Sequence, residues 1–73
     1  MELKTIANSS RIEAVGYSDK TRTLFVLFRG GDAVYSYDGV PKDVYEGLMA
    51  APSTGSFFAQ KIVGKYPYER HLP

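Results

Sequence analysis

The closing stretch, "KIVGKYPYERHLP" from Lys61 to Pro73, interleaves cations with aromatic rings. Lys61, Lys65, Arg70 and His71 are suited to phosphate oxygens. Tyr66 and Tyr68 are suited to stacking on unpaired bases, worth roughly 1–3 kcal/mol per base where it occurs. These six residues form a candidate nucleic-acid-binding set. A structural reading competes with it. Gly64 ends a helix, "YPY" folds back on a sheet and buries one tyrosine, and the charges, offset by Glu69, stay in water.

Catalytic chemistry is thinly provided. The serines, among them Ser9, Ser10, Ser36, Ser53 and Ser56, lack the G-x-S-x-G elbow of a hydrolase nucleophile. His71 is the single imidazole. It is the third residue from the end, where chains are usually mobile, and a mobile base holds no useful geometry. The eight carboxylates are scattered through turns and one helix start. "RGGD" at Arg29–Asp32 lacks the Lys-Ser/Thr pair of a phosphate loop and reads as a hairpin turn. No enzyme is expected, and no cofactor. With no cysteine, a thiolate zinc site and a disulfide are both excluded, and one histidine alone holds no metal. The missing cysteines fit a reducing, cytoplasmic setting.

The elements that position these residues follow from pattern. Seventy-three residues make one domain. A core of this size supplies about 3–5 kcal/mol net, and six tyrosines with four phenylalanines are its main source of burial. There is no apolar run of spanning length and no basic-then-apolar leader. The formal net charge of +1 argues against a broadly electrostatic nucleic-acid binder.

"RIEAVGYS" (Arg11–Ser18), "RTLFVLFR" (Arg22–Arg29) and "AVYSY" (Ala33–Tyr37) read as strands. Gly30–Gly31 marks a hairpin in which Arg29 faces Asp32, Val26 faces Tyr35 and Leu24 faces Tyr37. One face then carries Leu24, Val26, Phe28, Ala33, Tyr35 and Tyr37 and is expected to lie under the helices. The other carries Phe25, Leu27, Val34 and Ser36. For the first hairpin, a three-residue loop over Ser18–Lys20 is preferred. A four-residue loop would bring Glu13 to the covered face, because a one-residue shift moves every side chain across the sheet.

A first helix begins at Pro41, buries Val44, Leu48 and Ala51 with Tyr45 and Met49 beside them, and stops at Pro52. A second is capped by Ser53 and terminated by Gly64. The expected architecture is α+β: a three-stranded antiparallel β-meander followed by two short helices on one face, β-β-β-α-α.

Taken together, "NSSRIEAVGYS", "TLFVLF", "GGDAVYSYDGVP", "VYEGLMAAPSTGSFFAQKI" and "YPY" resemble the KTSC domain, from about Asn8 to Tyr68. The marks are Tyr17, Leu24-x-Val26-x-Phe28, Tyr35-x-Tyr37, Val40-Pro41 and Ser53-x-Gly55. The resemblance implies a single domain over 1–73, with 1–8 and 70–73 as flexible ends, and a need for Gly55 in close packing of the second helix. It brings no established activity. The family is named for its place at the C-terminus of some lysyl-tRNA synthetases, which hints at RNA. It also occurs free-standing in bacteria and phages.

Two functions are expected from this. The first is a protein-binding regulator, a phage-type module acting on transcription machinery such as RNA polymerase, through Phe25, Leu27, Arg29 and Val34. Large apolar residues left on a surface often mark a partner site; the alternative is that Leu3 and Ile6 fold across and cover them. The second is an RNA-binding accessory module using the closing cluster. A monomer is expected, away from membranes.

Overall fold

Thr23–Phe28, the nearly continuous apolar run, is the central strand (β3) of an antiparallel sheet in the computed structural model, which describes residues 3–7, 9–31 and 33–71. Its neighbours are Ile12–Ser18 (β2) and Val34–Asp38 (β4). The second hairpin has the predicted register, Val26 opposite Tyr35 and Leu24 opposite Tyr37. Gly30 sits in the loop at φ +79°, a conformation glycine adopts without a Cβ penalty. The expected pairing of Arg29 with Asp32 falls on a residue outside the described set.

The first hairpin corrects the preferred loop. Ser18 lies opposite Thr23, Tyr17 opposite Leu24 and Val15 opposite Val26, so four residues, Asp19–Arg22, form the turn. The objection to that register was Glu13, and a β-bulge removes it. Ile12 pairs with Phe28 and Ala14 with Leu27, leaving Glu13 as the extra residue. The bulge resets the alternation, so Ile12 and Val15 both turn inward with no exposed surface.

The three-stranded expectation is also corrected: the described sheet has five strands, in the order of the chain. Lys4–Thr5 (β1) pairs with β2, and Tyr68–His71 (β5) pairs with β4. Both are short and exposed, so neither carries a hydrophobic alternation to announce it. Arg29 secures the N-terminal side. Its guanidinium donates to the carbonyls of Ile6 at 3.0 Å, Ser9 at 3.2 Å and Ile12 at 3.3 Å. At the other edge Gly64, φ +79°, turns the chain after the second helix. The Asp38 amide then donates to the Pro67 carbonyl at 2.9 Å and starts the β4–β5 ladder.

The helices are Lys42–Ala50 (α1) and Thr54–Lys61 (α2). Pro41 stands immediately before α1 with φ −65°, and its carbonyl accepts from Val44 and Tyr45. Ser53 caps α2 as predicted, its Oγ accepting from the Ser56 amide at 3.3 Å. Both helices cover the predicted face. Leu24, Val26 and Val15 of the sheet pack with Val40, Leu48, Phe58 and Ile62 in one core. Tyr17 fixes α1 to the sheet: its hydroxyl donates to the Val40 carbonyl at 2.6 Å, and its ring stacks on Tyr45 with centroids 4.7 Å apart. No described helix is long and apolar enough to cross a membrane.

Candidate binding groove

Strand β5 divides the closing cluster between two surfaces. Tyr68 lies opposite Tyr37 and Arg70 opposite Tyr35, on the helix side. Glu69 lies opposite Ser36 and His71 opposite Val34, on the open side, because opposed residues share a face. Tyr66 packs against the core, so the fold-back of "YPY" does bury one tyrosine in part. Lys61 and Lys65 are exposed around the end of α2. Of the six candidate nucleic-acid residues, the fold therefore brings Tyr68 and Arg70 together with the aromatic residues of β3 and β4.

Those aromatic residues form a continuous set. Phe28 meets Tyr35 edge-on at 5.2 Å and Phe58 at 5.6 Å, and Tyr37 meets Phe58 at 5.4 Å. Tyr68 leans over Tyr35 at 5.8 Å and Tyr37 at 5.7 Å. These separations suit edge-to-face and tilted ring pairs. Tyr68 is 62% exposed, and Val63, just beyond α2, is 51% exposed. Between α2 and the sheet the rings line a groove of about 480 Å³ with Arg11 at one side.

Two smaller hollows adjoin it. One, of about 280 Å³, shares Phe28 and Tyr35 with the groove and reaches Arg70. The other, of about 300 Å³, shares Arg11, Gly55 and Ala59 with the groove and is walled by Ser9, Ser10, Ser53 and Ser56. No aspartate or glutamate lines any of the three among the described residues.

Two of these serines serve the backbone. Ser9 Oγ accepts from the amides of Arg11 at 3.2 Å and Ile12 at 3.1 Å. Ser53 Oγ is engaged in the helix cap. His71 is held in β5 on the other face, away from the hollow's serines, where its Nε2 lies 2.8 Å from Ser36 Oγ. Burial, followed by coulombic repulsion from Tyr35 and Tyr68, raises the pKa of the Tyr37 phenol above its ordinary value of 10.0. Among the described residues no three of His, Cys, Asp and Glu gather as metal ligands.

The open face carries the other candidate set. Leu27 stands opposite Val34 and Phe25 opposite Ser36. All three apolar residues are half-buried and lie outside the main core. Ile6 does not cover them; it is 6% exposed and belongs to the core on the helix side. Arg29 is occupied with the three carbonyls of the N-terminal segment. The groove itself escaped the sequence reading. Its walls come from β3, β4, α2 and β5, and only the unannounced strand β5 brings Tyr68 to Tyr35. The repeated Tyr35-x-Tyr37 spacing, which sends both rings to one face, was the available signal.

A KTSC domain profile matches residues 8–66. The chain is 43% identical over 61 residues to the lysine–tRNA ligase of Nostoc punctiforme, a match that covers 84% of this chain. The same match spans 11% of the ligase's length. A protein of Tsukamurella paurometabola is 49% identical over 49 residues, 67% of this chain and 72% of that one. The crystal structure of a KTSC domain protein from Yersinia pestis superimposes with a TM-score of 0.88 at 35% identity, covering 94% of each chain.

Proposed function

The chain belongs to the KTSC domain family, and from that premise we propose that it is a non-enzymatic module that binds single-stranded nucleic acid, RNA in particular. The observation that carries this reading is the groove on the helix side. It presents contiguous aromatic rings, one of them 62% exposed, with Arg11 in its lining. Aromatic faces stack on bases irrespective of sequence, and arginines neutralise the phosphates between them. The similarity to a segment of ligases that act on tRNA supports RNA as the class, while aminoacylation is no part of the reading.

The test is fluorescence anisotropy of a fluorescein-labelled 12-nucleotide RNA. Tyr68→Ala is expected to weaken binding about tenfold, since one stacked base is worth roughly 1–3 kcal/mol. Failure of the wild-type protein to bind the RNA at low salt would reject the proposal.

A second reading rests on a different observation, the half-buried Phe25, Leu27 and Val34 side by side on the open face and outside the core. Here the module is a protein-binding regulator, with RNA polymerase as the target to look for. Capture of a stoichiometric protein from bacterial lysate, lost in Leu27→Ser, supports it; equal capture by the variant removes it.

A further inference from the structure

The groove and the serine hollow meet at a common wall. Arg11, Gly55 and Ala59 line both, so the groove of about 480 Å³ adjoins the hollow of about 300 Å³ directly. Both volumes fall within the range of small-molecule sites. The hollow is rich in donors. A hydroxyl has one proton to give and two lone pairs to receive with. The lone pairs of Ser9 Oγ take the amides of Arg11 and Ile12, which leaves its proton without an acceptor among the described residues. Ser53 Oγ receives the Ser56 amide, and its own proton goes to Ser56 Oγ at 3.2 Å. That network therefore also ends in a proton, on Ser56. The Arg11 guanidinium has no hydrogen bond or ion pair among the described residues. All three groups lack an acceptor, and an oxyanion supplies several acceptors from one group through charge-assisted bonds.

Beyond the common wall the chemistry reverses. Phe28, Tyr35, Phe58 and Tyr68 line the groove with ring carbon. A ligand that satisfies both compartments joins a flat, largely apolar body to one anion.

We infer that the groove holds the base of one unpaired nucleotide while the hollow holds a single phosphate of that same nucleotide, against Arg11, Ser9 and Ser56. This rests on the nucleic-acid reading above and adds to it a register: one base and one phosphate, the phosphate on the Arg11 side. The sugar that joins them crosses the wall the two compartments share. The smallest ligand that fills both is a mononucleotide; a nucleoside or a sugar phosphate fills one. The base must also be out of its stack, because in a duplex its faces are covered and its edges are paired.

The experiment displaces a labelled 12-residue oligouridylate with uridine, ribose 5-phosphate and the 5′- and 3′-monophosphates of uridine. The better monophosphate should compete at least about tenfold more strongly than uridine or ribose 5-phosphate, the effect of one hydrogen bond to a charged group. The advantage over uridine isolates the hollow. Arg11→Gln should remove that advantage and leave uridine little changed. Tyr68→Ala should weaken uridine and the monophosphate alike and preserve it. In ¹⁵N-resolved NMR spectra the monophosphate, and not uridine, should shift the amides of Arg11 and Ile12 that donate to Ser9. Near-ultraviolet circular dichroism confirms that each variant is folded.

Equal competition by uridine and both monophosphates overturns the inference while leaving the nucleic-acid reading in place. A phosphate advantage that survives in Arg11→Gln, or ribose 5-phosphate that matches the better monophosphate, does the same. Absence of any binding by the 12-mer at low salt ends that reading and the inference with it. A phosphotyrosine peptide also joins a ring to a phosphate. Stronger displacement by that peptide than by the better monophosphate assigns the groove to a protein partner and overturns the inference too.

Discussion

Tyr37 joins the core to the groove. It is 6% exposed, its ring sits against Phe58, and it also lines the groove below Tyr68. Burial and the neighbouring tyrosines raise its pKa above 10.0 in the folded protein. The folded state therefore holds this proton in a range where the unfolded chain has released it. Stability from this residue is complete below pH 10, where both states are protonated, and falls as pH rises through the folded value. Urea midpoints measured from pH 8 to 11 should decline more steeply in wild type than in Tyr37→Phe, which keeps the ring and removes the titration. Parallel declines would assign the alkaline loss to other residues. The family marks become physical at the same scale. Tyr17 is the donor to Val40, and Tyr35-x-Tyr37 supplies two rings to one surface.

Elements were legible where burial imposes a period. Strand β3, the β3–β4 register, the Ser53 cap and the face under the helices followed from alternation, glycine and proline. Three features left no such trace. The bulge at Glu13 is invisible because only pairing across two strands defines it. Strands β1 and β5 are exposed along their whole length and exist because a neighbouring edge was free to receive them. The junction between α2 and the N-terminal turn tests how such pieces depend on each other. A Cβ on Gly55 would come 3.1 Å from Ser9 Oγ, which two amides already hold in place. In wild type, Gly55→Ala should lower stability by about 1 kcal/mol, as Ser9 is forced off those amides. In a Ser9→Ala background the obstruction is gone, and the same change should be neutral or stabilising by up to about 1 kcal/mol through helix propensity. Thermal unfolding of the four proteins gives the coupling. The same effect in both backgrounds would mean that Ser9 and Gly55 are independent.

The candidate site lies at the scale of the whole molecule, which is why its residues were only partly found. Arg11, Phe28, Tyr35, Ala59 and Tyr68 come from four elements and a loop, and no local pattern relates them. The same scale decides which sheet face is free. Leu24 and Leu27 lie on one strand, three residues apart and on opposite faces. Leu24 has no exposed surface and stands in the core, whereas Leu27 is half-buried outside it. Emptying Leu24 to alanine removes buried methyl groups and leaves a cavity, at a cost of about 3 kcal/mol. A domain of this length has about 3–5 kcal/mol in reserve, so Leu24→Ala should be substantially unfolded at 37 °C. Leu27→Ser should stay within about 1 kcal/mol of wild type. Urea titrations followed by far-ultraviolet circular dichroism distinguish the two. A Leu27→Ser loss as large as that of Leu24→Ala would mean that the open face is part of the core. The loss of partner capture in that variant would then report unfolding, and the protein-binding reading would have no surface left to stand on.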